Sequence, residues 1–297
     1  MHQLSYWVQH FLLRLFSSLP FWFLYALSDL LFVINYYLVG YRRKVVLENL
    51  RNSFPEKSEA EIQTIARKFY RYLSDQFVET FKSLTISEAE LDKRVKLLNP
   101  EVMNELYDRG QSVVHLLGHH ANWEWYAKQL ARYTKHQLFF VYKPLSNKGM
   151  DKVMIKLRSR FGVMAVPMKE VFRTIETYKV RPHASFFGGD QSPMRHNKYI
   201  WLNFLNQETA VYLGAEDIAK KYNEAVVFGK MRRVKRGHYT ISLELITANP
   251  LETGLGEITA SHTRALEELL QEQPEYWLWS HKRWKFKREE VENDRIS

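Results

Sequence analysis

An α/β fold, with a central mixed sheet flanked by helices and an N-terminal apolar helical region able to associate with a membrane, is what the sequence predicts. Three observations carry this. After Gly110, short apolar runs alternate with amphipathic segments, the pattern of a sheet covered by helices. The 297 residues, 45% hydrophobic and 26% charged, suffice for one substantial core. Between residues 15 and 40 the sole charged side chain is Asp29. The expected organisation is an apolar helical segment over 1–41 and an α/β domain over 42–297, of which 42–100 is a helical lead-in.

The 15–40 run is long enough to cross a bilayer, for which about 20 apolar residues are needed. Pro20, Asp29 and Asn35 interrupt it, so a single span, a hairpin and an interfacial helix pair are all open. It lacks the basic start and small-residue cleavage site of a signal peptide. Arg42, Arg43 and Lys44 follow at once, and positive flanks mark the cytoplasmic side. The α/β domain is therefore expected at a membrane, facing the cytoplasm. A buried helical pair in a soluble core is the competing reading.

Residues 42–85 read as helices broken at Pro55. Ser58 with Glu61 has the form of a capping box. Ile62, Ile65, Ala66, Phe69, Tyr70, Leu73 and Phe77 then fall on a helical stripe expected to face the core. Residues 85–99 read as a short strand or loop. Beyond Gly110, strands are predicted over 113–117, 138–142, 163–166, 184–187, 225–228 and 239–246. Helices are predicted over 122–133, 148–160, 169–178, 212–222 and 257–271, the last stopping near Pro274.

The charge balance, +10 with neutral histidines, attracts anionic surfaces, acidic proteins and phosphate groups. There is no cysteine, which excludes disulfides, thiolate metal sites and a cysteine nucleophile. Aromatics reach 14%, with eight Trp and seventeen Tyr, residues suited to membrane interfaces.

The chemistry centres on Ser112 to Tyr126. An apolar run ends in Gly118-His119-His120, and Asn122 opens a helix carrying Glu124. A neutral imidazole can accept an alcohol proton near neutral pH. A carboxylate on its other nitrogen fixes the tautomer, and Glu124 can reach back to provide it. His119 is the preferred base and His120 the alternative. A zinc site from His115, His119 and Glu124 competes, though His115 and His119 share a face only in a helix. No metal and no resident cofactor are expected.

Other candidates lie further along. Lys143, in Tyr142-Lys143-Pro144, can meet a phosphate, with Asn147 just after it. Arg158 can clamp a phosphate bidentately or favour a helix C-terminus. Asp190, with Gln191, follows an apolar strand and two glycines, at a strand carboxyl end where α/β sheets place ligands. There it can orient a hydroxyl, steady a basic residue or form a turn. The tail from Glu275 to Lys287 interleaves aromatic and basic residues. It suits a nucleic-acid strip, a membrane-interface strip or core aromatics between exposed bases; the apolar N-terminus favours the membrane, and no nucleic-acid partner is expected.

These elements in order resemble the late acyltransferases of lipid A biosynthesis, the lauroyl and myristoyl transferases of Gram-negative bacteria, within the lysophospholipid acyltransferase group. The resemblance runs from the apolar N-terminus through His119-x4-Glu124, Tyr142-Lys143-Pro144, Arg158 and Asp190-Gln191 to the Trp277-x-Trp279-x-His281 tail. It implies transfer of a fatty acyl group to a hydroxyl of a lipid A precursor or related glycolipid, at the inner membrane. The implied co-substrate is an acyl-carrier-protein or coenzyme A thioester. His119 is implied as general base with Glu124 supporting it, and Arg158 and Asp190 as site residues. Lys143 stands where the family pattern has arginine, so the bidentate fork is missing there. A non-catalytic protein that binds anionic lipid or nucleic acid, and a metal-dependent hydrolase, are the alternatives.

Overall fold

The computed structural model describes residues 2–194 and 197–288. Two helices open the chain, α1 (His2–Ser18) and α2 (Phe21–Val33), and a π-helical turn, Ile34–Val39, extends the second. Helices α3 (Arg43–Ser53), α4 (Glu59–Lys82) and α5 (Glu88–Arg94) follow, then β1 (Val95–Leu97) and α6 (Glu101–Asp108). The alternating core comprises β2 (Val113–Leu117), α7 (Trp123–Leu130), β3 (Gln137–Tyr142), α8 (Lys148–Arg158), β4 (Met164–Pro167), α9 (Val171–Tyr178) and β5 (His183–Gly188). A hairpin, β6 (Tyr199–Phe204) and β7 (Gln207–Tyr212), precedes α10 (Gly214–Tyr222), β8 (Ala225–Lys235), β9 (His238–Thr247) and α11 (Glu257–Glu272).

Seven strands form one mixed sheet in the order β1-β9-β8-β2-β5-β3-β4. Its pairs are parallel except β8 with β9. Side chains alternate across it. Val114 and Leu116 of β2 face a core shared with α4, α9, α10 and α11, while Val113 and Leu117 face a second core with α5, α6 and α7. The β2 strand is buried along its whole length, which is why its sequence is continuously apolar apart from His115. The parallel strands β2, β3 and β5 therefore end on the same edge, and His119, Lys143 and Asp190 follow those ends.

The capping box at Ser58 and Glu61 is present, with the Glu61 carboxylate also accepting from the Ser58 backbone N–H at 2.8 Å. The core stripe of α4 is present through Tyr70, but Phe77 is 52% exposed and Val78 and Phe81 turn inward instead. Over 24 residues the buried face drifts around the helix, so an early phase cannot be carried to its end. Residues 85–99 hold a helix as well as the strand, with Ser87 capping Glu90. Tyr212 closes β7 rather than opening α10, and the β6–β7 hairpin and α6 were not expected. Strand β8 runs on to Lys235, because beyond the stretch it shares with β2 it goes on pairing with β9.

Helix α2 docks on α4, and α1 packs on α8 and α4. Leu24, Ser28 and Phe32 form the narrow buried seam of α2. Beside it, Ser28 Oγ donates to Asp75 at 2.7 Å, Tyr25 Oη to Glu79 at 2.8 Å, and Arg236 bridges Asp29 and Asp75 at 2.9 and 2.7 Å. The C-terminal carbonyls of α1 are taken up by Lys82, which donates to Ser17 O at 2.8 Å and Leu19 O at 2.7 Å.

Candidate active site

His119 stands one residue beyond Gly118, where β2 has ended and α7 has not begun. Its backbone N–H donates to Asp190 Oδ2 and its Nδ1 to Asp190 Oδ1, both at 2.6 Å. Asp190 is buried, and the Trp277 indole N–H donates to its Oδ2 at 2.7 Å. An acceptor on Nδ1 places the imidazole proton there and leaves the lone pair on Nε2. Gly188, at the end of β5, makes the room: a Cβ there would stand 2.7 Å from His119 Cε1. The ring edge also rests on Trp123, with centroids 5.2 Å apart.

The carboxylate on His119 is thus Asp190, not Glu124. Glu124 lies in the first turn of α7, facing α8. Arg158 donates to it through Nη2 at 2.6 Å and through Nε at 3.2 Å, and the carboxylate is buried. The reach back to His119 does not occur because α7 carries Glu124 toward the end of α8. Arg158 is also held 4.8 Å above the Phe140 ring.

The electrostatics follow. Burial alone would lower the His119 pKa, but the Asp190 charge and hydrogen bond outweigh it and raise it. Burial would raise Asp190, yet the charge of His119 and the bonds from His119 and Trp277 hold it well below the usual carboxylate range. Burial likewise would raise Glu124, and the Arg158 charge and hydrogen bond lower it instead.

The loop between the two motif residues is built tightly. Ala121 is buried with φ +50°, a left-handed conformation uncommon for a residue with a Cβ. Its N–H donates to Tyr276 O at 2.9 Å, and its carbonyl accepts from Tyr72 Oη at 2.7 Å. Asn122 caps α7 through Trp125 N at 3.0 Å and donates to Glu79 at 2.6 Å.

A cavity of about 240 Å³ opens beside this loop. Lys143, Arg158, His119 and Gln191 line it together with apolar walls including Leu117 and Phe140. Gln191 Nε2 lies 3.3 Å from His119 Nε2. Asn147 does not line the cavity; its Oδ1 caps α8 by accepting from Met150 N at 3.0 Å.

Two alternatives lose their geometry. His120 is buried with Nδ1 on Met231 O at 2.9 Å and Nε2 on Gln273 O at 3.0 Å, so neither nitrogen faces the cavity. His115 is buried in β2 on Tyr126 Oη at 2.8 Å, and burial lowers its pKa to about 3. His115, His119 and Glu124 are thus held by three different partners, and among the described residues no cluster of metal-ligating side chains forms.

The tail is not a membrane-interface strip, the reading favoured from its sequence. Trp277 and Trp279 are buried because their indole N–H groups have internal acceptors, Asp190 and Pro274 O. Arg283 is buried on Ala210 O at 2.8 Å, and His281 Nε2 accepts from Ser192 N at 3.2 Å. Trp277 is the site residue that sequence reasoning placed in a motif without a role. An indole N–H, which needs an acceptor wherever it is buried, is the signal that could have marked it.

Comparison with known sequences gives the family. A search of curated proteins finds no match. The family described as bacterial lipid A biosynthesis acyltransferase matches residues 1–286, which takes in both N-terminal helices, the His119 loop, Arg158, Asp190 and the tail. The chain belongs to the bacterial lipid A biosynthesis acyltransferase family.

Proposed function

We propose that this acyltransferase moves a fatty acyl group from an acyl-carrier-protein or coenzyme A thioester to a hydroxyl of a lipid A precursor, at the cytoplasmic face of the inner membrane. The observation that carries the reading is the 2.6 Å bond from His119 Nδ1 to Asp190, with the opposite nitrogen on a cavity that has apolar and cationic walls. His119 Nε2 takes the proton of the acceptor hydroxyl as its oxygen attacks the thioester carbonyl. The C–O bond forms, the C–S bond breaks, and the imidazolium returns the proton to the leaving sulfur.

Asp190 holds the tautomer and balances the imidazolium that forms. Arg158 is the fixed cation of the cavity wall and is assigned to the developing oxyanion. Glu124 acts through it, holding the guanidinium in place. Lys143 and Gln191 are assigned to substrate contact, Lys143 to a phosphate of donor or acceptor. Asn147 supports the site only by capping α8.

The test is direct. Purified protein is mixed with acyl thioester and lipid A precursor, and the acylated product is followed by mass spectrometry. His119→Ala should lower turnover by on the order of 10²- to 10⁴-fold with the fold intact. Unchanged turnover in that variant sinks the assignment.

A further inference from the structure

Helices α1 and α2 are apolar over much more of their surface than they bury. On α2 the seam of Leu24, Ser28 and Phe32 recurs every four residues and covers a narrow stripe. Much of the opposite face and of the turn beyond is open: Trp22 is 73% exposed, Leu30 55% and Leu38 77%. On α1, Val8, Phe11, Leu12 and Leu15 recur at helical spacing and are also exposed. A helix that is apolar all round normally lies inside a protein or a membrane. Between α2 and α4 these surfaces meet in an apolar groove of about 370 Å³ lined by Leu31, Ile34, Val39, Tyr41, Leu73 and Phe77.

The Phe21–Val39 stretch has the length and composition to span a bilayer. Its docking opposes that arrangement. The polar seam ties it to α4 through Tyr25, Ser28 and Asp29. Turning α2 along the bilayer normal would draw α4 in with it, and α4 carries Arg67, Lys68 and Arg71. Placing such charges near the bilayer centre costs about 2.5–3.5 kcal/mol each even on the mildest scale. Alternatively α2 must leave the domain, giving up the bonds from Ser28 to Asp75 and from Tyr25 to Glu79 and uncovering two carboxylates buried beneath it.

We infer that α1, α2 and the π-helical turn form a monotopic docking surface that lies in one leaflet of an anionic bilayer, with the acyltransferase domain on the same side and no segment among the described residues crossing. Arg42, Arg43 and Lys44, which follow the apolar turn directly, meet the anionic headgroups. The groove beside Phe77 is filled by lipid chain. This specifies the form of the membrane association proposed above and rests on it, but not on the role of His119.

The chain has no cysteine, so single cysteines introduced at Trp22, Leu30 and Leu38 report without background. Full-length protein is added to vesicles of zwitterionic and anionic phospholipid, and a fluorophore on each cysteine is quenched by lipids labelled near the headgroup or near the chain end. All three positions should be quenched best by the shallow label. None should react with a membrane-impermeant thiol reagent trapped inside the vesicles. Strongest deep quenching at Leu30, with Trp22 or Leu38 labelled from inside, identifies a span and overturns the inference. Failure to float with vesicles overturns the membrane association itself, as does a stable dimer in which the three positions are protected without lipid. Acyl transfer measured on the same samples in detergent separates either failure from failure of the catalytic assignment.

Discussion

At the scale of residues, the two carboxylates near His119 have separate duties, and separate substitutions reveal them. Asp190→Asn places an amide N–H against Nδ1, which favours the tautomer protonated on Nε2 and removes the base. Turnover should fall on the order of 10²- to 10⁴-fold. The sign of the residual pH dependence follows from the cause of the shift. Asp190 raises the His119 pKa against burial, so with His119 as the proposed base the native enzyme's activity should rise with pH through a raised value. Without that charge, burial is left in control, and the rising limb should move to lower pH. A pH–rate profile whose limb stays put or moves upward contradicts the pairing. Arg158→Lys keeps the charge and loses the fork that Glu124 holds through two guanidinium nitrogens. Expected is a fall in kcat of about 10²-fold with little change in KM, since the oxyanion exists only in the transition state. A change confined to KM would assign Arg158 to ground-state binding instead.

Among elements, the junction of α2, α4 and the β8–β9 hairpin is the one most dependent on charge. Asp75 on α4 is buried, and Arg233 and Arg236 donate to it at 2.6 and 2.7 Å. Asp75→Ala leaves the largely buried Arg233 without its ion-pair partner and frees Ser28 as well. The expected loss is about 3 kcal/mol of unfolding free energy, measured by the denaturant midpoint. A loss under about 1 kcal/mol would mean that water or a repositioned side chain replaces the pair. The same junction touches the site. Glu79, one turn further along α4, accepts from Tyr25 at 2.8 Å on one side and from Asn122, which caps α7, at 2.6 Å on the other.

For the whole molecule, the proposed docking has the net charge of +10 and the exposed apolar helices acting together at a membrane surface. Flotation with anionic vesicles should exceed that with zwitterionic ones. The difference should shrink between physiological and about 1 M salt, as the screening length falls from about 8 Å to about 3 Å. The apolar part should persist in salt. Affinity independent of lipid charge would remove Arg42, Arg43 and Lys44 from the contact.

The sequence by itself determined the alternation of strands and helices, the capping box at Ser58 and the family. These depend on periodicity, local caps and motif order, all carried along the chain. It also marked His119, Glu124, Arg158 and Asp190 as residues to watch. Only the tertiary structure decided how they pair. Asp190 lies 71 residues from His119 and reaches it because β2 and β5 are neighbours in the sheet, which no local pattern encodes. Glu124, close to His119 in sequence, is turned away by the direction of its helix and meets Arg158 instead. The tail aromatics read as a surface strip, since interleaved rings and bases look alike whether the indoles face lipid or core. Burial of Trp277 on Asp190 settled the matter, because an indole N–H can enter a core only where an acceptor waits for it.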